Sequence, residues 1–139
     1  MRQEGEKKGQ LDNALVREFI IAAHGNLSEV KALIAVEPAL VNSVMNWGGD
    51  DWESGLGAAA HTGNREIAEL LLANDARMDI FSAAMLGDLA IVRSLIERYP
   101  LMIDAKGAHG IPLLRHAERG GVAARPVLEY LLAKKETLV

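Results

Sequence analysis

Residues 57–75 read GAAAHTGNREIAELLLAND. Three alanines are followed by a spacer, a glycine and an apolar cluster that ends in three leucines. The small residues predict a short helix that lets a neighbour approach closely. The glycine at 63 suits a left-handed helix end. Ile67, Leu70 and Leu71 then recur at helical spacing and predict a second helix with one apolar face. The unit is therefore a helix, a tight turn and a helix.

The same unit occurs elsewhere in the chain. GNLSEVKALIAVEPALVN (Gly25–Asn42) slides onto GDLAIVRSLIERYPLMID (Gly87–Asp104) with an offset of 62 residues, from 25 to 87. Gly, Leu, Val, a Leu-Ile pair and Pro fall in register, and Asn42 meets Asp104. GNREIAELLLANDARMD (Gly63–Asp79) is a third copy, with Leu71-Leu72 on Leu33-Ile34 and Leu95-Ile96. Ahead of each glycine lies a small-residue segment: FIIAAHG (Phe19–Gly25), GAAAHTG (Gly57–Gly63) and FSAAMLG (Phe81–Gly87). A fourth, LLRHAERG (Leu113–Gly120), follows Ile111-Pro112, and proline is well tolerated in a helix's first turn. Self-similarity at a few tens of residues predicts a repeat array, whose units bury their apolar faces only by stacking.

Composition narrows the function classes. The chain has 139 residues, half of them apolar, which suits one domain with a real core. A net charge of −4 argues against a nucleic-acid surface. The chain has no cysteine, and so no thiolate nucleophile, disulfide or Cys-based zinc site. Residues 1–10, MRQEGEKKGQ, are charged and lack the apolar stretch of a signal peptide. Residues 1–13 are expected to be a disordered tail and 14–136 the folded domain. No apolar run approaches a membrane span, so no membrane contact and a cytoplasmic location are expected.

The units resemble the ankyrin repeat family. Leu56, Ala59, Ala60, Gly63, Ile67, Leu71, Leu72 and Ala76 match that family's pattern of a T-P-L-H-x-A-A-x-x-G segment followed by an I-V…L-L helix and a G-A turn. Ile111-Pro112-Leu113 and Gly120 supply the pattern again near the end of the chain, and the likeness covers roughly residues 15–134. It is similar above all to small bacterial ankyrin proteins whose final repeat reads HGIPLL. The resemblance implies an all-α solenoid of about four stacked helix pairs. There are departures. Ser54-Gly55 stands for the Thr-Pro opening, and Phe19, Gly57, Phe81 and Leu114 replace the histidine that ties the turn. Leu56 and Ile80 lie only 24 residues apart, against a usual period of about 33, so no hairpin finger fits between units two and three.

The resemblance also implies a concave binding face built from finger loops and the exposed positions of the first helices. In that register Ala23-His24, His61-Thr62, Met85-Leu86 and Glu118-Arg119 look out from it. The long connection SVMNWGGDDWES (Ser43–Ser54) holds both tryptophans, a Gly-Gly hinge and an acidic pair. Loose aromatic loops recognise partners. The alternative is that one or both indoles pack back on the repeats, Trp52 more readily than Trp47. Asp50 and Asp51 suit a solvated turn better than a cation site. His116 is expected to be partly buried, and His109 to tie its own turn. The terminal ETLV reads as a helix end rather than a peptide-capture motif.

Serines lack a nucleophile elbow, and no glycine-rich loop follows a strand, so no catalytic activity and no cofactor are expected. The favoured function is a non-enzymatic protein-interaction module, a monomer or weak dimer. Its candidate partner contacts are Trp47, Asp50, Asp51, Trp52, His24, His61, Thr62, Met85 and Leu86, with no metal assigned. The alternative is a small-molecule or metal-binding protein using the cleft between the 43–54 loop and the first helices, where His24 and His61 meet.

Overall fold

The computed structural model describes residues 9–138. Residues 1–8 of the expected tail, and Val139 of the terminal ETLV, lie outside the described residues. From Leu11 onward that segment is tied to the fold. Asp12 caps the first helix by accepting from the Ala14 N–H, and Leu11 packs against the core.

The chain is mostly helical. The helices are α1 (Asn13–Ala22), α2 (Leu27–Val36), α3 (Gly55–His61), α4 (Arg65–Ala73), α5 (Ile80–Leu86), α6 (Leu89–Arg98), α7 (Leu113–Arg119) and α8 (Arg125–Leu138). None of the described helices is long and apolar enough to cross a membrane. Each second helix of the first three pairs starts on a side-chain cap that directly follows a turn glycine. Asn26, Asn64 and Asp88 accept from the N–H groups of Glu29, Ile67 and Ile91. Those N–H groups have no partner inside the helix, so each cap stabilises by about 1 kcal/mol. The repeated Gly-Asn or Gly-Asp is thus a working turn, not only a sequence echo.

The first helices form one row, in which α1 contacts α3, α3 contacts α5 and α5 contacts α7. Their alanines make this possible: Ala23, Ala58, Ala59, Ala60, Ala83 and Ala84 are fully buried. Behind them lie Val30, Ile67, Leu71, Val92, Ile96, Val127 and Leu131 of the second helices, also buried. Gly87 takes a left-handed conformation, as its place at a helix end predicts. Gly120 does not, with φ of −72°. It is small for another reason, since a Cβ there would collide with the Met85 carbonyl oxygen. The α7 end is pressed directly onto the α5 backbone.

The 43–54 connection is not a loose loop. Val44–Asn46 (β1) pairs antiparallel with Trp52–Ser54 (β2), Met45 facing Glu53. Gly48 and Gly49 turn the hairpin with φ of 138° and 56°, angles that only glycine adopts freely. This sheet of two strands is the departure from a purely helical fold. β1 rests on α1, and β2 runs into α3. Between α4 and α5 the chain passes directly, and Asn42 bridges the step by bonding the Asp75 carbonyl and the Arg77 N–H.

Candidate functional site

The hairpin delivers one buried carboxylate into the row of first helices. Side chains alternate along a strand. Trp52 therefore points out, 57% exposed, and Glu53 points in, buried. Three histidines from three other segments meet Glu53. His24 lies just past the end of α1, His61 ends α3, and His109 sits in the Ala108–Gly110 turn before α7.

His61 Nε2 lies 2.7 Å from Glu53 Oε2, and His24 Nε2 lies 3.2 Å from the same oxygen. His109 Nε2 lies 3.3 Å from Oε1. The Trp47 indole N–H donates to Oε1 at 2.8 Å. One donor atom from each of His24, Glu53, His61 and His109 can be chosen so that all lie within 4.8 Å of one another.

Two of the rings have their tautomer fixed from behind. His24 Nδ1–H donates to the Ile20 carbonyl at 2.8 Å, and a carbonyl can only accept. His109 Nδ1–H donates to Asp51 Oδ2 at 2.7 Å, while the His109 backbone N–H donates to Asp51 Oδ1 at 2.7 Å. In a neutral imidazole whose Nδ1 carries the proton, Nε2 is a bare lone pair. Those lone pairs point at a carboxylate, which also offers only lone pairs. The contacts are favourable only when a proton or a cation occupies each gap.

The charges respond accordingly. Burial alone would raise the Glu53 carboxyl, but the His61 hydrogen bond, His24, the Trp47 N–H and His109 together hold it below its ordinary range. Burial would lower the His109 imidazole, yet Asp51 and Glu53 outweigh it and raise the net value. The His109 backbone N–H leads the contacts that hold Asp51 low.

The expected partner contacts divide. His24, His61, Asp51 and Trp47 converge on this cluster. Asp50 is exposed on the turn, and Trp52 stands on the outer face. The Thr62 hydroxyl is spent on the Ala58 and Ala59 carbonyls at the end of α3. Met85, expected to look out from the concave face, is 1% exposed and part of the core. Leu86 is half-buried, its carbonyl accepting from Arg65. The two indoles also exchange roles, for Trp47 packs inward and Trp52 stays out. Buried His116 donates from Nδ1 to the Pro112 carbonyl at 2.9 Å. His109 does tie its turn, but to the hairpin rather than to the next unit.

Glu53 and His109 are the cluster residues that sequence reasoning missed as site residues. A strand signal was present, since Gly-Gly between two short β-prone runs predicts a hairpin. In that hairpin Asp51 and Glu53 share a face.

No protein-family model matches this chain, and no curated protein matches it.

Proposed function

We propose that this chain is an ankyrin-type helical-repeat protein that binds a divalent transition-metal ion through His24, Glu53, His61 and His109. The repeat part of this reading rests on the row of alanine-rich first helices, backed by apolar second helices and joined by capped glycine turns. The metal part rests on one observation: imidazole lone pairs with fixed tautomers converge on a buried carboxylate. A single ion between these atoms satisfies all of them. Protons would instead fill the gaps one by one, each adding an imidazolium beside another.

The spacing agrees with such an ion. Tetrahedral donors about 2.0–2.1 Å from zinc lie about 3.3 Å apart; two nitrogen-to-carboxylate distances, 3.2 and 3.3 Å, match this, whereas the His61 contact of 2.7 Å is a hydrogen bond that lengthens as an ion enters, and the four donors all lie within 4.8 Å. Asp51 behind His109 and the Ile20 carbonyl behind His24 are the outer partners that orient metal-binding imidazoles. Nitrogen donors with one carboxylate suit zinc, cobalt or nickel, whereas calcium and magnesium prefer all-oxygen shells.

Equilibrium dialysis against zinc, followed by elemental analysis, tests the proposal. About one ion per chain is expected, with a raised melting temperature, and His61→Ala should lose both. Zinc bound equally by His61→Ala would sink it.

A second reading, a protein-interaction module, keeps the support of Trp52, a large aromatic side chain left in solvent at the tip side of a rigid hairpin. Sedimentation velocity of wild type and Trp52→Ser tests the case in which the partner is a second copy.

A further inference from the structure

We infer that Trp47 is a positioning residue for the metal: its indole N–H anchors the Glu53 carboxylate and holds the two oxygens toward the three histidines. The inference rests on the metal-binding reading above and adds the group that orients its one carboxylate ligand.

Trp47 stands on the same face of the hairpin as the carboxylate it meets. Met45 faces Glu53 across the two strands. Two residues nearer the turn, the Trp47 backbone N–H donates to the Asp51 carbonyl at 2.8 Å. Side chains two apart along a strand share a face, so Trp47, Asp51 and Glu53 point the same way. The backbone bond fixes the root of the indole. From α1, the Arg17 guanidinium lies 5.7 Å from the centre of the Trp47 ring, a distance at which a cation is attracted to an aromatic face. The indole is thus held at its root and over its ring without help from any ion.

The carboxylate has a single lasting anchor. The Glu53 side chain is fully buried. Its oxygens are met by the Trp47 N–H and by ring nitrogens of His24, His61 and His109. Those three imidazoles are the proposed ligands. Once an ion sits among them, their Nε2 lone pairs turn to the ion and offer Glu53 no N–H. Among the described residues, Trp47 is the one remaining donor to this carboxylate. An indole N–H only donates, so it never competes for the ion.

The anchor matters because the last torsion of a glutamate is broad and roughly two-fold. The 2.8 Å bond to Oε1 selects one setting. In that setting Oε2 lies 2.7 and 3.2 Å from the His61 and His24 nitrogens, and Oε1 lies 3.3 Å from that of His109. A ligand already turned toward its site loses less freedom on binding. Partners that hydrogen-bond a metal ligand change metal affinity by about 10–100-fold.

Removing the N–H while keeping the ring isolates the effect. Benzothienylalanine at position 47 retains the two-ring shape and carries sulfur in place of the N–H. Fluorotryptophan at the same position retains the N–H. Zinc affinity of each full chain is measured by chelator competition, and the visible spectrum of the cobalt(II) form reports the ligands around the ion. The benzothienylalanine chain should bind zinc about 10–100-fold more weakly, with shifted cobalt bands, and the fluorotryptophan chain should match wild type. Equal zinc affinity with benzothienylalanine, or cobalt bands that do not move, would make Trp47 a packing residue only and overturn the inference while metal binding stands. Weak binding by the fluorotryptophan chain as well would assign the effect to the ring rather than the N–H, and would also overturn it. Failure of the wild-type chain to bind zinc or cobalt would end both readings.

Discussion

His109 and Asp51 are 58 residues apart in sequence, yet Nδ1 of the one lies 2.7 Å from Oδ2 of the other. The contact fixes which nitrogen of His109 faces Glu53. Asp51 hydrogen-bonds His109 and none of the other three cluster residues, so it orients that histidine from behind. Asp51→Asn keeps the size of the side chain and removes its charge. Zinc affinity should fall by about 10–100-fold, as measured by competition with a chromogenic chelator. An unchanged affinity would make the pair a structural tie only.

Glu53 allows two substitutions with different expected results. Glu53→Gln retains an oxygen for the Trp47 N–H, so the metal-free fold should lose only the contribution of the carboxylate charge while zinc binding collapses. Glu53→Leu removes the acceptor too. Leaving the half-buried indole N–H without its partner should cost about 1–3 kcal/mol of stability, read by urea denaturation. Equal stability of the two variants would show that the Trp47 hydrogen bond contributes little.

The pH dependence of the metal-free protein follows from opposite shifts. Glu53 is held below its ordinary value of 4.5, so its contribution is present above that pH and is lost as pH falls through the lower folded value. His109 is raised above 6.5, so its contribution is complete below that pH and disappears as pH rises through the higher folded value. For these two groups the metal-free melting temperature should be highest between about 4.5 and 6.5. Zinc requires unprotonated imidazoles, so the temperature gained on adding zinc should grow from about pH 6 to 8. Scanning fluorimetry with and without zinc checks both slopes. A zinc effect that shrinks as pH rises would contradict histidine ligation.

Ala60 is fully buried where α3 meets its neighbours. Ala60→Leu adds three carbons with no space to receive them. Overpacking of this kind costs about 1–3 kcal/mol, and a thermal melt should show it plainly. An unaltered melt would mean that the first helices are not packed through their alanines.

The helix pairs were legible because their signals are local. Alanine triplets, glycine turns and leucines at helical spacing lie within a few residues of one another, and the 25–42 and 87–104 copies repeat them. His24 and His61 could be placed side by side from that register. The rest of the site depended on segments outside the repeat. Glu53 lies in the stretch expected to be a loop, where side-chain direction has no meaning until the strand is recognised. His109 reaches the cluster with its backbone at a φ of 59°, between Ala108 and Gly110, a conformation no periodicity reveals. Met85 was misplaced for a related reason. Its register position faces outward in an open array, but here Gly120 is pressed onto its backbone and the side chain joins the core.

Repeat arrays ordinarily lengthen and shorten by copying or deleting whole units, because each unit touches only its neighbours. The hairpin removes that freedom. Glu53 is held by residues 24, 61 and 109, which lie past the end of α1, at the end of α3 and in the turn before α7. Inserting or excising a unit between any two of them would pull a histidine away from the carboxylate. Such a chain can drift at its surface, but the number of helix pairs between residues 24 and 109 is locked by the cluster.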